Sequence, residues 1–342
     1  MQGVNRQAGG SDLASELCTS QTRESFKARA ATAEARRSDD ADPSCSSTTL
    51  SAEEYAGLLE AAMRYPDQQV GLCVAAMVSV SLTAGFRSDD LQDTRYFLEL
   101  VASVPAEPLP MQVLAIAHNG GKANQDGQTT YAALANHKQP LLDCLSYLAQ
   151  HILHQMNVSR LPLLQLIFKG DTSWRSYRMF LRDPSTATSK QTYYDMSTML
   201  LKVIATMHDP LVKTKVTHLM RCSGLAGLAA AACSMDVMRV WGRWAKADGV
   251  MGKSYLPNRN QSGAGKADHS GMHAVESILY LAETFWQSSP FMLQRYGLSW
   301  WALQLPAVRA IVGSYDYRVF EQEMATTWHL NNHGKDCRQR RS

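Results

Sequence analysis

The chain has no apolar run approaching the ~20 residues that a membrane-spanning helix needs. Its polar first residues, Asp12 and Glu16 among them, do not read as a secretion signal. The expectation is a protein that works inside the cell. Paired cysteines are also missing: the seven, Cys18, Cys45, Cys73, Cys144, Cys222, Cys233 and Cys337, are dispersed with no C-x-x-C spacing. An odd, scattered set is neither a disulfide framework nor a zinc pattern, so reduced thiols are expected. His137, His208, His269 and His273 likewise lack metal-ligand spacing. No repeat of fixed period appears, which argues against a solenoid. Charge of one sign is scarce too: 34 Lys and Arg stand against 31 Asp and Glu, a net +3. That balance permits nucleic-acid binding without arguing for it.

What the chain does have is length and apolar content, 342 residues at 45%, enough for a well-buried core. Residues 1–48 are rich in Ser, Ala, Gly, Thr and mixed charge. With few large apolar groups to offset ordering entropy, they are expected to be a disordered arm. A folded region over 49–330 and a basic polar tail over 331–342 complete the expected layout. Ser51 followed by Glu54 is a capping box that opens an amphipathic helix. The nearly all-apolar Val70–Thr83 predicts a second helix at the centre of the core, ending at Ala84-Gly-Phe-Arg87, with a short helical turn at Ser88-Asp-Asp-Leu91.

From Arg95 to Ala133 the period becomes strand-like, in Tyr96–Val104, Met111–His118 and Gln128–Leu134. The glycine-rich 119–127 between the last two is a hairpin tip that carries Lys122. The rest reads as helices over Pro140–Met156, Ser173–Leu181, Gln191–Met207, Lys215–Cys233, Met235–Ala247 and His273–Gln287, with turns near Phe291 and Val319. The predicted class is mainly α with a small antiparallel β-sheet.

His218 and Arg221, three residues apart, share one helix face and put a titratable ring beside a fixed cation. Arg87 follows a buried helix, where a planar guanidinium can be aimed at a phosphate. Lys122 offers an ammonium on a hairpin, Trp244 an indole N–H and Tyr255 a hydroxyl. Singly, each also fits a structural role: a helix-end cation, a hairpin lysine, a core aromatic, a packed loop tyrosine.

In order and spacing, these stretches resemble the tyrosine recombinases, and within them the Crypton branch and the related centromere-binding kinetochore subunits of fungi (the Ndc-ten domain II type). Thr83–Leu91 resembles the family's Thr-Gly-x-Arg-x-x-Asp/Glu-Leu box, shifted by one residue before Arg87. Gly121-Lys122-Ala-Asn124-Gln125 and Asn136-His137-Lys138-Gln-Pro140 through Cys144 resemble the branch's hairpin and the run that follows it. His218-Leu-Met-Arg221 is similar to the second box, and Trp244 and Tyr255 lie 23 and 34 residues beyond Arg221.

The resemblance implies a catalytic domain in which Tyr255 attacks a DNA phosphodiester to form a 3′-phosphotyrosyl link, so that no metal or nucleotide cofactor is required. It further implies that Arg87 and Arg221 stabilise the transition-state charge, that His218 handles the tyrosine proton or braces the phosphate, that Lys122 protonates the leaving oxygen, and that Trp244 donates its N–H. DNA contact is implied for Arg87, Lys122, Asn124, Lys138, Lys215, Arg221 and Arg243. The implied partner is double-stranded DNA, in the nucleus, with a homo-oligomer on DNA also in keeping. A DNA-binding protein of the same fold without chemistry is the alternative reading, and a helical interaction protein a third.

Overall fold

A computed structural model of the chain describes residues 49–96, 98–104, 111–118, 130–137, 139–158, 160–181, 188–211, 216–233, 271–297 and 300–313, with a few isolated positions besides. The 1–48 arm and the 331–342 tail lie outside the described residues.

The Ser51 capping box is present: the Glu54 N–H donates to Ser51 Oγ and the Ser51 N–H to Glu54 Oε2. It opens helix α1 (Ala52–Met63), which buries Tyr55, Leu58, Leu59 and Ala62. Helix α2 (Gln68–Ala84) starts where Asp67 accepts the Val70 N–H. Every residue from Gly71 to Ser81 is buried. A helix apolar on all sides has to be surrounded, and α2 packs against α1, helices α4 (Cys144–Asn157), α6 (Tyr193–Ile204) and α7 (Val216–Ala230), and strand β3 (Thr130–Ala135).

After the short helix α3 (Ser88–Asp93), β1 (Leu98–Val104), β2 (Met111–His118) and β3 (Thr130–Ala135) form one antiparallel sheet in the order β1-β2-β3. Leu100 pairs with Leu114, and Leu114 in turn with Leu134, which sets three leucine positions in register across the strands. Helix α8 (Gly271–Tyr296) packs on α4 and on β1. The described residues also include the short helices α5 (Leu163–Phe168) and α9 (Pro306–Val312). No described helix is long and apolar enough to cross a membrane.

Two expectations are corrected. The stretch 173–181 is not a helix: a 3-10 turn over Thr172–Ser176 gives way to extended chain, in which Arg178 pairs with Arg95 and Leu181 with Lys190. Its backbone is claimed by distant partners, as where the Met179 N–H donates to the Thr94 carbonyl at 3.0 Å. Nor is there a turn at Phe291, because α8 runs through Pro290 to Tyr296. In the turn before that proline, the hydroxyls of Ser288 and Ser289 both donate to the Phe285 carbonyl.

The interior carries polar groups whose bonds are largely met inside the fold. The Tyr96 hydroxyl donates to Gln155 Oε1, and Gln155 Nε2 and His151 Nε2 each lie 3.0 Å from the Met179 carbonyl. Burial pushes the His151 imidazole down to about 4, so the ring is neutral at pH 7. Gln150 Oε1 accepts from both Trp300 and Trp301, at 2.8 and 3.1 Å.

Candidate nucleic-acid site

Helix α2 ends at Gly85, whose φ of +66° is the left-handed conformation that closes a helix and suits glycine. The chain then turns through the fully buried Phe86 to half-buried Arg87, and the Arg87 N–H donates to Asp90 Oδ2 at 2.9 Å. A carboxylate in the first turn thus fixes the backbone that presents Arg87.

Arg221 arrives from α7, 6% exposed, and its Nη1 donates to the Gly85 carbonyl at 3.0 Å across 136 positions of sequence. The two motif arginines are therefore joined through the backbone two residues before Arg87. Close approach makes this possible. A Cβ on Gly224 would stand 2.5 Å from the Leu82 carbonyl and 2.6 Å from the Trp241 ring, and one on Gly85 would stand 2.8 Å from the Trp241 carbonyl. Trp241 Nε1 donates to the Thr83 carbonyl at 2.8 Å. Indole and guanidinium together take two carbonyls, Thr83 and Gly85, that the end of α2 leaves without helical partners.

The run after β3 comes to the same place. Burial and then the charge of Asp143 raise the Cys144 thiol to about 12, against hydrogen bonding from the Thr83 and Ser79 side chains. Next to it, the fully buried Asp143 accepts the His137 N–H on Oδ1 at 2.6 Å, and the Ser146 N–H and hydroxyl on Oδ2 at 2.7 and 2.8 Å. Burial outweighs these donors and lifts its carboxyl to about 6. Asn136 Nδ2 donates to the Tyr280 hydroxyl of α8 at 3.0 Å. The exit of β3 is thereby held from both sides, by α4 and by α8. On the far side of α7 the Leu50 N–H donates to Ser223 Oγ at 2.7 Å, so the chain enters the fold two positions along from Arg221.

Three of the sequence stretches thus meet: Thr83–Leu91, Asn136–Cys144 and His218–Arg221. His218 is helical, one turn before Arg221. Lys122, Asn124, Lys138, Lys215, Arg243, Trp244 and Tyr255 lie outside the described residues. Trp241 was not singled out in the sequence, because the spacing from Arg221 directs attention to Trp244. Only its packing on Gly85 and Gly224 marks it, and nothing local in the sequence could have.

Neither the protein-family models nor the curated proteins include a match to this chain. Among solved structures, the FLP recombinase–Holliday junction complex is similar at a TM-score of 0.40 and 10% identity. The similarity covers 81% of this chain and 59% of that one. A likeness that distant does not by itself assign a family or an activity. The chemistry open to the site has to be argued from its own residues: a buried guanidinium bonded to the backbone two residues before a second arginine is suited to a phosphate group only if both reach it.

Proposed function

We propose that this chain binds duplex DNA and cuts and rejoins one strand through Tyr255, as a tyrosine recombinase does. The observation that carries the reading is the Arg221–Gly85 bond, which ties the second motif arginine to the loop presenting the first. A guanidinium held in place at Arg221, together with that of Arg87 on the loop it braces, can stabilise the charge that develops on a phosphodiester in the transition state. In this reading Tyr255 attacks the phosphorus, Lys122 protonates the departing 5′ oxygen, His218 takes the tyrosine proton, and Trp244 contributes its N–H. Asn124, Lys138, Lys215 and Arg243 add backbone contacts. The domain spans 49–330 and works in the nucleus.

The test is covalent trapping on a nicked duplex. Wild type is expected to give a protein–DNA adduct, and Tyr255→Phe to bind DNA while giving none. One observation favours a second reading: at 6% exposure, Arg221 spends a donor on a carbonyl, as a structural arginine would. A DNA-binding protein without chemistry would bind duplex with salt-dependent affinity and never form the adduct. Absence of binding at low salt would overturn both.

A further inference from the structure

Gly85 offers the carbonyl on which Arg221 rests, yet glycine is the residue whose backbone is least restrained by its own side chain. Where that carbonyl points decides where the 6% exposed guanidinium sits. Something outside the turn has to hold it.

Trp241 does so from two sides. Its Nε1 donates at 2.8 Å to the Thr83 carbonyl, two residues before Gly85. Its own carbonyl and ring crowd Gly85, where a Cβ would stand 2.8 and 3.1 Å from them, and the same ring lies against Gly224 on α7, where a Cβ would stand 2.6 Å away. Gly224 is three residues past Arg221, so one indole bridges the turn that supplies the acceptor and the helix that supplies the donor. Packing alone would use only the rings. The N–H of this half-buried side chain is spent on a carbonyl at a helix end, which fixes the indole's orientation as well as its place.

We infer that Trp241 is a positioning residue for the proposed reaction: held between the Gly85 turn and Gly224, it sets the place from which Arg221 acts on the scissile phosphate. The inference rests on the strand-cleavage reading above and extends it to a residue that acts through another rather than on the substrate. Misplacing a transition-state group by about 1 Å can cost on the order of 100-fold in rate. An interaction made chiefly in the transition state shows in kcat rather than in binding.

The test compares two variants of the full chain that lose the same group. Trp241→Phe keeps a ring and removes the N–H beside Gly85. Trp301→Phe does the same on α4, where Trp301 Nε1 donates to Gln150 Oε1 at 3.1 Å and the ring meets His154 edge-on. For each, the single-turnover rate of adduct formation on the nicked duplex is measured together with DNA affinity and thermal melting. Trp241→Phe is expected to slow adduct formation about 10- to 100-fold while DNA affinity stays within about 3-fold. Trp301→Phe is expected to lose stability as well, but to keep a rate within about 3-fold of wild type. Should Trp241→Phe not fold at the assay temperature, Gly224→Ala, which pushes on the same indole from α7, is measured in its place with the same expected slowing. A wild-type rate in Trp241→Phe, or an equal slowing in Trp301→Phe, would make Trp241 a packing residue only. Wild type that binds DNA but forms no adduct would sink the strand-cleavage reading and this inference with it, a result distinct from a wild-type adduct that the Trp241 variant leaves unaltered.

Discussion

The seam at Arg221 and the interior around His151 both bury polar nitrogen, and they deal with it in opposite ways. His151 gives up its charge: with its ring stacked on Phe180 and its Nε2 on the Met179 carbonyl, it stays neutral until about pH 4. An arginine side chain has no such option, so the fold brings a helix-end carbonyl to it instead. Desolvation is relieved in one place by discarding a proton and in the other by supplying an acceptor. Only the second solution leaves a permanent positive charge within the fold.

The most severe way to break the contrast is Arg221→Ala. It leaves the Gly85 carbonyl without its donor and opens space at the meeting of α2 and α7, so a loss of about 2–4 kcal/mol is expected in urea denaturation. A loss under ~1 kcal/mol would show that Arg221 is held for function alone.

Next comes a pair on α7. Gly224→Ala drives a Cβ toward the Leu82 carbonyl and the Trp241 ring and should cost about 1–3 kcal/mol. Gly227→Ala meets nothing within 4 Å and should be neutral or stabilising by up to ~1 kcal/mol. Equal effects in thermal melts would mean that α7 does not approach α2 closely.

The interior offers a pH test. His151 is lowered from 6.5 to about 4, so the unfolded chain binds more protons between those values, and this group's stabilisation is lost as pH falls through that window. Asp143 is raised from 3.8 to about 6, so the folded chain binds more protons there, and its contribution grows as pH falls. Between about pH 4 and 6 the two oppose each other. Asp143→Asn should expose the His151 slope and steepen acid destabilisation by up to about 1.4 kcal/mol per pH unit. His151→Gln should tilt the stability–pH profile the other way, and parallel profiles for both variants would refute the assignment. The smallest expected loss is that of Trp241→Phe, which keeps an aromatic ring but loses the indole bond to Thr83, at about 0.5–1.5 kcal/mol.

Much of the architecture was legible beforehand. The capping box at Ser51, the apolar run of α2 and the three strands are each written within a window of a few residues, and the structure places them close to where the pattern does. The failures share a cause. The 173–181 stretch looks helical in isolation, yet Arg178 and Leu181 take partners at Arg95 and Lys190. Pro290 looks like a stop, yet α8 continues through it while packed along α4 and β1. Of the candidate site, the sequence offered Arg87, His218 and Arg221 as a set, but not Trp241, whose role depends on two glycines far from it in sequence.

Periodicity, caps and turn chemistry act over one or two helical turns, so the sequence by itself determined most of the helices and strands and where the central apolar helix lies. Which carbonyl a buried guanidinium would find was left to the tertiary structure. The Arg221–Gly85 bond and the sharing of Asp93 by Arg178 and Lys190 span 85 to 136 positions. A buried polar group takes whatever partner the packed segments bring within 3 Å, and nothing in its local sequence names that partner.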